Sequence, residues 1–262
     1  MRRFWGLGLI VFLVLGLRAQ AQISASAAAV SSFELGNDFY ANKDLDAAIV
    51  KYSAAIGADP RYADAYYNRG NVRYLKGDLD GAYSDFSQAL KFCPDLAGAY
   101  SNRGLILRLR GKVEQAIDEF TRAINLDPGL AEAYNNRGVA FRELGNLGAA
   151  RDDFSSAIAI NHKLAESYSN RGVVLFLQGN VNGAIKDHTK AIQLNPLLSA
   201  AYCSRGIARE AKGDLEGAIK DYTRALNIDP AFSDAHSRLA AASKAKSEES
   251  RGVGTQGTVA QN

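Results

Sequence analysis

The sequence predicts an all-α solenoid, a stack of helix-turn-helix units, on three observations. The segment 131–138 returns 34 residues later as 165–172, and related copies lie at 63–70 and 97–104. Each 34-residue block has two runs whose apolar residues are three and four apart, which is the spacing of one helix face. Gly residues and Asp-Pro dipeptides separate these runs. A fixed period in this range is typical of repeat proteins, in which each unit packs on its neighbours.

The first 21 residues have the pattern of a secretory signal peptide. Arg2 and Arg3 make a short basic start, residues 4–17 are apolar and uncharged, and Ala19-Gln20-Ala21 matches a small-x-small cleavage site. The apolar run is shorter than the ~20 residues that a membrane-spanning helix needs, which favours cleavage after Ala21. We therefore expect a periplasmic or secreted protein. An uncleaved segment that anchors the protein in the inner membrane is the alternative.

Cleavage after Ala21 would leave a chain without net charge. The sequence has 31 Lys+Arg and 28 Asp+Glu. Residues 1–21 hold Arg2, Arg3 and Arg18 and no acidic residue, so 31 − 3 = 28 basic residues would remain against 28 acidic ones. This balance gives no support for binding nucleic acid.

The rest of the chain divides into a lead-in, six blocks, a partial block and a tail. Residues 22–28 are Ser/Ala-rich, and we expect them to be flexible. The blocks are 29–62, 63–96, 97–130, 131–164, 165–198 and 199–232. Residues 233–246 supply only the first helix of a further block, which predicts a capping helix. Residues 247–262 are rich in Ser, Glu, Gly, Thr and Gln without a period, which predicts a disordered tail.

Within each block, Gly at position 8, Ala at position 20 and a ring at position 24 predict close packing of the two helices. The glycines are Gly36, Gly70, Gly104, Gly138, Gly172 and Gly206, and the rings are Tyr52, Phe86, Phe120, Phe154 and Tyr222. With an aromatic at position 4, Ala at 27 and Pro at 32, this pattern resembles the tetratricopeptide repeat family over residues 29–232. Ser32, His162 and His188 depart from it. The resemblance implies a right-handed solenoid whose first helices line a concave groove.

Position 7, where the family usually has Leu, is Arg in five blocks, and an acidic residue occupies position 23 of the same blocks. The predicted pairs are Arg69 with Asp85, Arg103 with Glu119, Arg137 with Asp153, Arg171 with Asp187, and Arg205 with Asp221. In the first block both positions change together, to Leu35 and Lys51. We hypothesise an ion pair that joins the two helices of each block. The alternative is that both side chains are exposed and their match is inherited by duplication.

The candidate groove residues lie at block positions 6 and 12. Position 6 is Asn68, Asn102, Asn136 and Asn170, and we predict an exposed asparagine ladder because a side-chain amide can both donate to and accept from a peptide backbone. Beside it we expect Tyr74, Arg108, Arg142 and Phe176, residue types that are common contacts in protein interfaces. The alternative is that the asparagines were copied when the repeat was duplicated and bind no ligand. Position 5 lacks the Lys that a clamp for a carboxylate-ended peptide requires.

No catalytic or cofactor motif emerges from the sequence. His162, His188 and His236 lie in different blocks, no phosphate-binding glycine loop occurs, and we predict neither a metal site nor a cofactor. Cys93 and Cys203 lie too many blocks apart for a disulfide and are predicted to be free thiols. We expect a non-enzymatic, exported scaffold or adaptor that holds a protein or peptide partner. A membrane-tethered scaffold and a regulatory subunit of a cell-envelope enzyme are the alternatives.

Overall fold

The computed structural model describes residues 27–256, and every regular element in that range is a helix. The predicted signal peptide (1–21), most of the lead-in and residues 257–262 of the predicted tail lie outside the described residues. The chain forms two compact units, the first ending at Asp127 and the second beginning at Pro128.

The first unit contains six described helices. They are α1 (27–41), α2 (Leu45–Ala58), α3 (Ala63–Leu75), α4 (Leu79–Phe92), α5 (Ala97–Leu109) and α6 (Val113–Leu126). From α2 onward each helix of this unit packs against the next one in the chain. Ala27 and Ala28, predicted as part of the flexible lead-in, are already helical.

The second unit continues the same alternation of helix pairs. Its helices are α7 (Ala131–Glu143), α8 (Leu147–Ile160), α9 (Ala165–Leu177), α10 (Val181–Leu194), α11 (Ser199–Ala211), α12 (Leu215–Ile228) and α13 (Ser233–Gln256). Consecutive helices pack together, and the first helices of successive repeats also meet, α7 with α9 and α9 with α11. The predicted all-α repeat fold is therefore confirmed.

Short turns between the helices depend on glycine at block position 15. Gly77, Gly111, Gly145, Gly179 and Gly213 have φ between 72° and 84°, the left-handed region that glycine enters without a steric penalty. The first block has Lys43 at this position, with φ of 62°. Most second helices then begin with an Asp or Asn whose side chain accepts a backbone N–H one turn ahead, as Asp78 does from Gly81 at 2.9 Å.

The core of each repeat is a buried ring packed on glycine. A Cβ added to Gly138 would lie 2.8 Å from Cε1 of Phe154, so only glycine permits this approach of the two helices. Phe86, Phe120 and Phe154 are fully buried, and His188 takes the same place in the fifth repeat. Cys93 and Cys203 are both free, as predicted.

The C-terminal helix is longer than the sequence predicts. Helix α13 extends to Gln256, whereas we expected it to end at Lys246 and a disordered tail to begin at Ser247. The expectation of a tail rested on composition and overlooked the charge pairs that favour a helix. Lys244 and Glu248, four residues apart, lie 3.9 Å apart between Nζ and Oε1, and Lys246 Nζ reaches Glu216 of α12 at 3.7 Å.

Candidate functional site

Three of the predicted groove residues meet in one pocket of the first unit. Asn68 and Tyr74 of α3 and Asn102 of α5 line a pocket of about 250 Å³. The helical period places the residues of α3 on one face, since positions three to four apart are neighbours. The remaining lining residues are Tyr40 of α1, Tyr52 of α2, Asn71 and Leu75 of α3, and Leu105 of α5.

The asparagine side chains join neighbouring repeats through hydrogen bonds. Asn68 Nδ2 donates to Asn37 Oδ1 at 3.0 Å, and Asn102 Nδ2 donates to Asn71 Oδ1 at 2.7 Å. We expected an exposed ladder, whereas these amides are half-buried. The first helices pack closely enough for an amide at position 6 to reach position 9 of the preceding repeat. A primary amide has two N–H groups and a carbonyl oxygen, so one hydrogen bond to the neighbouring repeat does not use its full capacity.

Aromatic and aliphatic side chains supply the rest of the pocket wall. Tyr40 is 44% exposed and Leu75 is 56% exposed, so both offer apolar surface to a ligand. The ring of Tyr52 is buried, but its hydroxyl donates to Asn37 Oδ1 at 2.8 Å. Burial raises the pKa of this phenol, which therefore stays a neutral hydrogen-bonding group.

Tyr52 belongs to the predicted core, and its contribution to the pocket was not predicted. One signal was available for Tyr52. The first block has Tyr at position 24 where the next three have Phe, and the added hydroxyl requires a polar partner.

The remaining predicted residues do not join this pocket. Arg108 is half-buried on α5 and does not line it. Asn136 and Arg142 of α7 and Asn170 and Phe176 of α9 belong to the second unit, where all four are half-buried. Three of the eight predicted residues therefore line the pocket of the first unit, and the other five do not.

Asn170 uses a different partner from its counterparts in the first unit. Its Nδ2 donates to Oδ1 of Asn135 at 3.1 Å, and Ser167 Oγ donates to the same oxygen at 3.0 Å. Position 9 of the fourth block is Val139, which cannot accept a hydrogen bond, and the amide at position 5 takes that role. The asparagine at position 6 therefore keeps its link to the preceding repeat although its acceptor has moved.

Family models match most of this architecture. A model described as TPR repeat matches residues 36–77, 70–108, 104–145 and 211–246, and one described as Tetratricopeptide repeat matches 131–164 and 165–196. The chain belongs to the tetratricopeptide repeat (TPR) family. No curated protein matches it.

Solved TPR structures share the fold of this TPR protein. The hetero-tetramer Cut9-Hcn1 of the APC/C aligns with a TM-score of 0.76 at 19% identity, over 82% of this chain and 42% of that one. MamA aligns with a TM-score of 0.54 at 32% identity, over 62% of this chain and 94% of its own. YrrB, described as a TPR protein with an unusual peptide-binding site, aligns with a TM-score of 0.55 at 21% identity, over 70% of this chain and 95% of its own. This chain spans less than half the length of the first of these structures.

Inside the TPR units, the structure brings each predicted Arg–carboxylate pair together. Arg137 Nε and Nη2 donate to the two oxygens of Asp153, each at 2.8 Å, and Arg171 donates to Asp187 at 2.7 and 3.0 Å. The pairs Arg69–Asp85, Arg103–Glu119 and Arg205–Asp221 also approach to 2.7 Å. The five carboxylates are buried. Hydrogen bonding to Asp153 raises the pKa of Arg137.

Some of the same arginines also bind the preceding TPR repeat, a feature that was not predicted. Arg171 Nη1 donates to Ser155 Oγ at 3.2 Å, and Arg205 Nη1 donates to Thr189 Oγ1 at 3.1 Å. Each hydroxyl donates its own proton to a carbonyl one turn back in its helix, as Ser155 Oγ does to the oxygen of Arg151. The signal was present in the sequence, because position 25 is Ser or Thr in all six blocks.

Within residues 27–256, no three His, Cys, Asp or Glu side chains cluster as metal ligands would. Both matched families are repeat families, and TPR proteins generally act as scaffolds that bind proteins or peptides. Among the described helices, none combines the length and the apolarity needed to cross a membrane.

Proposed function

We propose that this TPR protein is an exported scaffold that holds a peptide or helix of a protein partner on the first helices of its repeats. The observation that supports this most directly is the pocket of the first unit, where Asn68, Asn102 and Tyr74 lie together. It combines uncharged amides with aromatic rings and exposed aliphatic carbon. None of the described residues that line it is charged.

The lining suggests how a partner would bind. Asn68 and Asn102 each have one N–H engaged with a neighbouring repeat, so their amides are held in place before a ligand arrives. Such preorganised amides would pair with the N–H and C=O groups of an extended backbone. Tyr40, Tyr74 and Leu75 would cover one apolar side chain of the partner. A pocket of about 250 Å³ suits one such side chain.

In the second unit, the corresponding contacts would come from Asn136, Asn170, Arg142 and Phe176. Phe176 and the two asparagines lie on the first helices of their repeats, as Asn68, Tyr74 and Asn102 do in the first unit. We propose these four, together with Arg108, as secondary contacts for a longer partner.

Site-directed photo-crosslinking in the producing cell tests the binding surface. A photoreactive phenylalanine at Tyr40 should crosslink to a defined partner, and the same group at Val50 should not. Val50 is a matched control because it lies in the same unit, is 63% exposed and does not line the pocket. Adding Leu75→Glu should abolish the Tyr40 crosslink by placing a charge against the partner. Equal crosslinking from both positions would refute the proposal.

Export is the second part of the proposal, and it rests on the pattern of residues 1–21. N-terminal sequencing of the protein from cells should give Gln22 as the first residue. An intact Met1 with the protein in the membrane fraction would support the tethered scaffold instead. This measurement is independent of the crosslinking result, so either part can fail alone.

A further inference from the structure

A second concave surface lies in the second unit, on the side of the second helices. This crevice, of about 590 Å³, is formed by α8, α9 and α10. Ile158 of α8 and the ring of Tyr168 of α9 give it apolar walls. Lys186, Lys190 and Gln193 of α10 give it a polar rim. It shares no residue with the pocket of the first unit.

The two lysines of the crevice lack acidic partners. Neither ammonium has a carboxylate within ion-pair distance in the part of the chain that the structure describes. Lys186 and Lys190 are four residues apart on one helix, an arrangement in which like charges repel and destabilise the helix. Both side chains are exposed at the mouth of the crevice.

The other charges in the crevice neutralise each other. Arg171 donates to Asp187 at 2.7 and 3.0 Å and to Ser155 at 3.2 Å, which engages its guanidinium. The Asp187 side chain is 8% exposed and accepts both of the first two hydrogen bonds. Lys186 and Lys190 therefore leave the crevice with two uncompensated positive charges.

The next repeat provides an internal comparison. Lys220 and Arg224 occupy the positions of Lys186 and Lys190 there, so both repeats have two basic residues at these sites. Lys220 Nζ is 2.8 Å from Glu216 Oε1, and the Arg224 guanidinium lies 6.0 Å from the centre of the Tyr202 ring. The counterpart of Glu216 in the fifth repeat is Asn182, which carries no charge. The two basic side chains thus have an acidic or aromatic partner in the sixth repeat, whereas those at the same positions of the fifth repeat lack an acidic partner among the described residues.

We propose that this crevice binds an acidic segment of a protein partner, with carboxylates on Lys186 and Lys190 and an apolar side chain against Ile158 and Tyr168. Charge complementarity selects the partner's acidic residues, and the apolar walls select a peptide over a bare anion. Each exposed ammonium would pair with a carboxylate and contribute roughly a few-fold in affinity, so that the two together contribute roughly tenfold.

Fluorescence anisotropy with the full chain tests this site. The probe is a labelled pentapeptide with Glu on both sides of a central Phe, and Gln replaces Glu in the control peptide. The wild type should bind the acidic probe and not the Gln peptide. The double variant Lys186→Gln/Lys190→Gln should bind roughly tenfold more weakly. Lys220→Gln/Arg224→Gln, the matched control in the next repeat, should bind within about twofold of the wild type, because those cations already have partners.

Other occupants of the crevice would give different results. Equal loss in both double variants would show a general charge effect and overturn the proposal. A second contrary result is displacement of the probe by inorganic phosphate at equal concentration, and a third is equal binding of a probe with Gly in place of Phe. Either result would show an anion site without peptide selectivity and would also overturn the proposal. Circular dichroism of each variant checks that the protein is folded before its binding is compared. Leu75→Glu changes the pocket of the first unit and should bind the probe as the wild type does, which shows that the probe does not bind that pocket.

Discussion

Arg137 and Asp153 face each other across one repeat and share two hydrogen bonds of 2.8 Å. Their side chains are 18% and 9% exposed. Such a buried pair depends on both partners, because removing one strands the other charge away from water. The pair ties the two helices of the fourth repeat together by charge.

Asp153→Ala should lower the free energy of unfolding by about 3 kcal/mol. Arg137→Leu should have a similar effect, and the double variant should lose much less than the sum of the two. Denaturant unfolding of the four proteins gives the coupling energy. The exposed pair Arg151–Asp152, with side chains 47% and 70% exposed, is the control and should couple by less than about 1 kcal/mol. Additive effects at Arg137 and Asp153 would rule out a stabilising pair.

The hydroxyl of Ser155 should stabilise the contact between the fourth and fifth repeats. Ser155→Ala removes the acceptor of Arg171 Nη1 and should cost about 1 kcal/mol in unfolding free energy. Ser156→Ala is the matched control, because Ser156 Oγ donates to the carbonyl of Asp152 in its own helix. That control should be neutral or slightly stabilising. The same loss in both variants would argue against a link between repeats.

His188 should make the stability of the protein depend on acidity. The imidazole is fully buried, its two nitrogens have no hydrogen-bond partner among the described residues, and burial lowers its pKa to about 4. Asp187 raises this pKa and Arg205 lowers it further. An unfolded His titrates near 6.5, so between pH 6.5 and about 4 the unfolded chain binds a proton that the folded chain does not. Stability is therefore highest above pH 6.5 and falls by about 3 kcal/mol as the pH drops through this window.

His188→Phe restores the ring found in other repeats and should remove this loss. The variant should be more stable than the wild type at pH 7, because no polar nitrogen is left buried without a partner. Its advantage should grow between pH 7 and about pH 4.5, since this range covers most of the window in which only the unfolded wild type binds the proton. Denaturant unfolding at both values measures the difference, and an advantage that is constant with pH would contradict the assignment.

Glycine at block position 8 should resist even the smallest enlargement. In Gly138→Ala, the new methyl group would lie 2.8 Å from the Phe154 ring and 3.2 Å from the carbonyl oxygen of Ala150. We expect a loss of about 1–3 kcal/mol in unfolding free energy. Gly57→Ala is the control, since no described atom beyond its chain neighbours and the nearby backbone of its own helix lies within 4 Å of its Cβ position, and it should stabilise α2 by up to about 1 kcal/mol. A neutral Gly138→Ala would mean that the helices can separate without loss.

Lys43→Gly should stabilise the first repeat. Lys43 has φ of 62°, where a side chain costs about 1 kcal/mol, and glycine fills this position in the other five repeats. Thermal unfolding should shift upward by a few degrees. Gly145→Ala, the reverse change in another repeat, should shift it downward. The same direction of shift in both variants would show that backbone strain does not limit either turn.

The repeat length, the helix pairs and the position of each core ring could all be predicted from the sequence alone. These features follow from local rules, because the helical period, the left-handed glycine and the proline stop act within a few residues. The pairing of Arg137 with Asp153 could also be predicted, since both positions change together in the first block. The end of α13 was missed, because the prediction followed composition and overlooked the pair Lys244 and Glu248, four residues apart across the expected end.

Which of the predicted groove residues meet depends on packing between repeats. From their equal spacing, Asn68 and Asn136 were predicted to be equivalent members of one ladder. Asn68 lines the pocket of the first unit with Tyr74 and Asn102, whereas Asn136 does not line it. Packing also turned an amide that we expected to be exposed into one that binds the preceding repeat. Equal spacing along a chain fixes which helix face a residue occupies. Its contacts depend on which side chain the neighbouring repeat presents, and Asn37, Asn71 and Asn135 supply those contacts here.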